Sequence, residues 1–161
     1  MEPVRIDSSG LDAVFLALQG LVVLFLLLHD WVPLGRFNNL AAMRGEDSLV
    51  RRIFVTLLPS VPTALCLVFC AEHFGGAYPD WLEMTLWITY GVLLLGLLRA
   101  WWVPYLFGTD PERAARYRII FAGTHSFLPE RNGMAPDTLH TAFHVCVLAT
   151  IVLLVLRGGA I

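Results

Sequence analysis

The sequence predicts an all-α integral membrane protein: a four-transmembrane-helix bundle with a short amphipathic interfacial helix before the last span. Three observations carry this. Only 15% of the 161 residues are charged while 57% are hydrophobic, against about a quarter charged in soluble domains. Residues 11–31, 52–74, 81–103 and 137–156 each supply the roughly 20 mostly apolar residues that a bilayer-spanning helix needs. The arginines also sort by connection, clustering in alternate loops. No period of 20 to 50 residues repeats, so residues 1–161 read as a single transmembrane domain.

The first span follows a stretch, residues 1–12, with Glu2, Asp7 and Asp12 against a single Arg5. That lacks the positive n-region of a secretory signal, and the apolar run ends in His29-Asp30-Trp31 without a small-residue cleavage site. It reads as a membrane anchor. The second span contains Leu58-Pro59-Ser60-Val61-Pro62. Each proline removes a backbone donor and crowds the preceding turn, which predicts a kink. In lipid the freed carbonyls need Ser60, Thr63, a neighbouring helix or water. The kink either serves packing alone or opens a pocket toward the cytoplasm.

Near its end the third span carries Arg99, beside Trp101 and Trp102. There a long side chain can snorkel to the interface, or meet a lipid phosphate or anionic substrate. Thr109-Asp110-Pro111-Glu112 has capping-box spacing, with proline tolerated in the first turn. It should start the interfacial helix, residues 110–126, with Arg113 and Arg116 on one face and Ala114, Tyr117 and Phe121 toward the other. The Gly123-Thr124-His125 turn then returns the chain to the bundle, and Pro136-Asp137 opens the last span.

The basic residues set the expected orientation. There is no lysine, and nine of the eleven arginines (Arg36, Arg44, Arg51, Arg52, Arg99, Arg113, Arg116, Arg118 and Arg131) fall on one side. The positive-inside rule makes that side cytoplasmic and both termini external, as for a bacterial inner-membrane protein. Arg5 and Arg157 are the exceptions. Trp31, Trp101, Trp102 and Tyr105 on the inner side, and Tyr78 and Trp81 on the outer, fit aromatic belts. A net charge of −2 without a large basic patch argues against nucleic acid.

On this topology four of the five histidines converge. His29, followed by Asp30, closes the first span; His125 follows the amphipathic helix; His140 and His144 share one face of the fourth span. Imidazole suits zinc and iron, and a His-x-x-x-His pair gives two ligands on one face. The candidate metal set is His29, Asp30, His125, His140 and His144, with Asp30 or Asp137 as ligand or outer partner. Haem b held by His29 with His140 or His144 is the rival cofactor. Thr141 stands where a zinc protease would carry glutamate, which argues against a peptidase. Interfacial histidines that only cap helices or bond between them are the plainer possibility, and a proton relay is another.

The leading functional expectation is a cytoplasm-facing histidine site that binds a metal; as an enzyme it would act on a substrate from the lipid interface, with Arg99, Arg116 and Arg118 available to an anionic headgroup or substrate. The alternatives are a transport or channel subunit working as a homo-oligomer, an accessory subunit of a larger membrane complex, or a haem-binding electron-transfer protein. Membrane lipids are the expected partners. Cys66, Cys70 and His73 form a second set at i, i+4, i+7 spacing, suited to a soft metal or to simple packing. Gln19, Thr85, Thr89, Tyr90 and Thr150 read as interhelical hydrogen-bonding groups. A polar row from Gln19 to Thr150 lining a subunit interface would favour transport.

Overall fold

The computed structural model describes residues 8–158, so Glu2, Arg5 and Asp7 lie outside the described residues. The chain is helical: α1 (Ser8–Leu28), a short 3-10 turn (Gly35–Phe37), α2 (Leu40–Glu46), α3 (Leu49–Glu72), α4 (Asp80–Leu97), a π turn (Leu98–Trp102), α5 (Val103–Phe107), α6 (Pro111–Ile120) and α7 (Thr138–Gly158). Among the described residues there is no strand, only an isolated bridge between Arg131 and Met134. Four helices are long and apolar enough to cross a membrane: Ser9–Leu28, Leu49–Glu72, Asp80–Phe107 and Thr138–Arg157. All four expected spans are present. The third runs past the expected residue 103 to Phe107, with the π turn at Leu98–Trp102 inside it and α5 at its end.

The long helices form a four-sided bundle in which α1 and α4 each pack against α3 and α7. Phe15, Val22, Leu26, Cys66, Leu82, Leu86, Tyr90, Phe143, Val147 and Leu154 fill its interior. The outward faces are equally apolar: Leu24, Val61, Leu65, Val92, Leu95, Val152 and Val155 are all exposed. A helix apolar all round is what a membrane or a large core requires, and no core of that size exists here.

Helices immersed in lipid gain little from apolar burial against one another, so packing and polar contacts hold such a bundle together. Trp31 Nε1 donates to Thr56 Oγ1 at 2.9 Å, tying α1 to α3. Helix α3 continues through Pro59 and Pro62. The Ser60 hydroxyl donates to Thr56 O, and that of Thr63 to Pro59 O and Ser60 O. These local bonds add partners for the carbonyls around the two prolines.

At the end where α1 begins and α7 finishes, Asp12 pairs with Arg157 while only 1% exposed. Asp12 Oδ2 also accepts from Gly75 N at 2.9 Å. The Arg157 guanidinium donates to Gly76 O and lies 3.5 Å over the Tyr78 ring. The arginine on the wrong side of the charge pattern is thus neutralised by a carboxylate of the same end. Burial raises the Tyr78 phenol well above its ordinary value, with Cys70 adding to the effect.

The arginine-rich end is more built than the sequence indicated. Helix α2 went unpredicted; Asn39 caps it by accepting from Ala42 N, and Asn39 Nδ2 reaches Ala122 O at 3.0 Å. Helix α6 ends at Ile120 rather than running to residue 126. Its cap is Asp110, not Thr109: the Asp110 carboxylate accepts from Arg113 N at 2.8 Å, which holds this exposed carboxyl below its usual range. Arg116 bonds Asp47 at 2.6 Å, fastening α6 to the α2–α3 junction. The following loop turns at Asn132-Gly133, both with positive φ, and Asn132 Nδ2 anchors the turn to Tyr105 O at 2.9 Å.

Candidate functional site

The site is organised by the π turn. A π turn has more residues per turn than an α-helix, so consecutive side chains diverge less, and such turns recur at functional sites. Here both Trp101 and Trp102 reach α7. The displaced backbone is secured from α6: Arg113 Nη2 donates to Arg99 O at 3.1 Å and to Ala100 O at 3.0 Å, and Tyr117 Oη donates to Ala100 O at 2.9 Å. The arginine and tyrosine placed on an interfacial helix are therefore the clamp that holds two tryptophans in position.

Opposite lies the start of α7. Asp137, 1% exposed, accepts from His140 N at 2.7 Å in the manner of an N-cap. Both its oxygens also lie 3.0 Å from His140 Nδ1. One carboxylate thus starts the helix and orients the ring one turn later. That ring is boxed by aromatic neighbours: Trp101 at 4.5 Å between centroids, and Phe25, His29 and Phe121 each at 5.4 Å.

The partners fix which nitrogen carries the proton. A carboxylate only accepts, so His140 Nδ1 carries hydrogen, and in the neutral ring Nε2 is left as an acceptor. Trp102 Nε1, which can only donate, lies 3.1 Å from His144 Nδ1. His144 therefore has the opposite tautomer, with hydrogen on Nε2. That Nε2 is buried and has no partner among the described residues. His29 completes the group: Nδ1 meets Phe25 O at 2.9 Å and Nε2 lies 3.0 Å from Asp30 Oδ1. Both ring nitrogens therefore face acceptor oxygens.

Of the residues singled out in the sequence, His29, Asp30, His140 and His144 come together with Asp137. His125 stands in the loop: its Nδ1 is 2.7 Å from Thr138 Oγ1 and its ring meets Phe37. Arg99 and Arg118 are exposed, whereas Arg116 is taken up by Asp47. Among the described residues, no three His, Cys, Asp or Glu side chains are grouped to hold a metal ion. His29 and His140 meet edge to face at 86°, leaving no slot for a porphyrin plane between them. Cys66 and Cys70 lie in the core, while the His73 ring bonds Phe69 O and packs on Tyr78 and Trp81.

Sequence reasoning missed the site roles of Trp101, Trp102, Phe25 and Phe121. The adjacent tryptophans read as belt anchors, and nothing in the local pattern announced a π turn between them. Two recesses flank the site. One, about 200 Å³, opens at the arginine-rich end between Tyr117, Arg118, Phe121, Glu130 and Met134. The other is a groove of about 280 Å³ between α1 and α7 with His29 at its edge.

Comparison of the chain with known protein families, curated proteins and solved structures finds no match.

Proposed function

We propose that this chain is a multi-pass membrane protein, with its arginine-rich end cytoplasmic and α6 at the interface, whose working site is the histidine–carboxylate cluster at that end. The site exchanges a proton with a ligand arriving from the membrane interface. Asp137 orients His140 so that Nε2 accepts, and His144 offers a donor at Nε2. The observation that carries the reading is the pair of partners, Asp137 at His140 Nδ1 and Trp102 Nε1 at His144 Nδ1, which call for opposite tautomers. A base oriented by a carboxylate is a general acid–base arrangement.

Conduction of protons through one copy is disfavoured. Val22 and Leu26 on α1, Leu97 on α4 and Val147 on α7 are all buried and lie along the chain between the cluster and Gln19, Tyr90 and Thr150. On the fourth, the Ser60 and Thr63 hydroxyls bond to their own helix. Gln19 and Thr150 are buried within the bundle, so they form no row on an outer face. Transport by a homo-oligomer would need another path.

A metal centre is the second reading, favoured by one feature: a carboxylate on Nδ1 with Nε2 open is how a ligating histidine is oriented. Zinc or iron would need further ligands from the substrate or from rearranged neighbours. Haem b would need His29 and His140 to leave their edge-to-face contact, or His144 as the second ligand.

Nitrogen-15 NMR of histidine-labelled protein in bilayers tests the first reading. Hydrogen on Nδ1 of His140 and on Nε2 of His144 is expected near neutral pH, and the same tautomer in both rings would overturn it. Metal content of protein prepared without a polyhistidine tag tests the second. Stoichiometric zinc or iron, lost in both His140→Ala and His144→Ala, would replace the acid–base reading.

A further inference from the structure

The groove between α1 and α7 is lined almost wholly by apolar side chains. Leu21, Leu24, Phe25 and Leu28 form one wall, Leu139, Ala142, Phe143 and Cys146 the other, with Leu34 and His29 at one end. Both walls belong to helices long enough to cross a membrane. From position 21 to 28 on α1, and from 139 to 146 on α7, the groove runs about 10 Å. With a volume of about 280 Å³, its cross-section averages about 30 Å² over that length, room for one extended hydrocarbon chain.

The floor links the groove to the site. Phe25 stacks on Phe143 at 4.0 Å and on His29 at 4.2 Å, and its edge meets His140 at 5.4 Å. A chain in the groove would press on the ring stack that fixes His140, with its polar end beside His29 and Asp30. We infer that the groove seats one acyl chain of a bilayer phospholipid, placing the headgroup at the histidine cluster. This rests on the proposed membrane placement and gives the proposed site its ligand class, an acyl-chain amphiphile.

The test uses full-length protein in vesicles of phosphatidylcholine and phosphatidylglycerol carrying a phosphatidylcholine with a chain-end diazirine. After photolysis, adducts are mapped by peptide mass spectrometry. Adducts at Leu21 and Leu24, at exposed Ala142 and at half-buried Leu139 and Cys146 should exceed several-fold those at Val61, Val152 and Val155, which are as exposed as Leu21 and Leu24. Ala142→Trp, which fills the groove from an exposed position, should abolish the excess, whereas Val152→Trp should not. Leu24→Trp blocks from the opposite wall and serves if Ala142→Trp does not fold. Even labelling of all lipid-facing positions, or an excess unchanged in a folded blocking variant, would overturn the inference. The histidine tautomers are read independently. Even labelling with the expected tautomers removes the groove alone; an excess with equal tautomers removes the acid–base reading alone.

Discussion

Asp137 carries two structural duties on one carboxylate, so substitutions there separate them. Asp137→Ala removes the cap of α7, worth about 1 kcal/mol, and the bond to the His140 ring, worth about 1.5–3 kcal/mol for a charged partner. A total of about 2.5–4 kcal/mol is expected. Asp137→Asn keeps a capping oxygen of equal quality and an acceptor for His140 Nδ1, and loses only the assistance of charge, about 1 kcal/mol. The decisive comparison is made in His140→Phe, whose ring suits the same aromatic box. There the carboxylate at 137 is buried without its imidazole, so Asp137→Asn should be neutral or stabilising. The sign reverses, with a coupling of about 1–3 kcal/mol. Unfolding in mixed micelles, followed by far-UV circular dichroism and tryptophan fluorescence, provides the measurement. Equal losses for the Ala and Asn variants, or an Asn cost unchanged in His140→Phe, would refute the shared-carboxylate reasoning.

Three further outcomes are expected. Tyr117→Phe should cost about 1 kcal/mol by removing one donor from Ala100 O, and Arg113→Leu more, by removing two bonds from a charged group; tryptophan emission should shift only in variants that release the π turn. Arg157→Met should destabilise by about 3–5 kcal/mol because the Asp12 carboxylate is left buried without its cation, while Asp12→Asn with Arg157→Met should recover most of that loss, as read by the same unfolding titration. The raised phenol of Tyr78 gives a pH dependence with a definite sign. The unfolded chain loses that proton near the ordinary tyrosine value while the folded chain keeps it, so this contribution is intact below about pH 10 and declines as pH rises further. Tyr78→Phe should flatten the alkaline limb of the stability curve; an unchanged limb would show that Tyr78 does not cause it.

The sequence by itself determined the bundle. Hydrocarbon imposes a length and a composition on each spanning helix, both local properties, so the four segments were visible from apolar runs alone. The pairing of arginine-rich and arginine-poor connections was local too. So was the histidine pair, because i and i+4 share a face wherever a helix forms. Tertiary structure decided what surrounds that pair. Whether Trp101 and Trp102 meet His140 and His144 depends on the direction α4 gives them, and the π turn at Leu98–Trp102 sets that direction. Its carbonyls are held by Arg113 and Tyr117, more than ten residues away and read from sequence as membrane-surface side chains. The same is true of Arg157, an exception to the charge pattern until Asp12 is seen beside it. Periodicity reports which face a residue occupies. It does not report which faces meet, and a ring nitrogen takes its role from the partner across that interface.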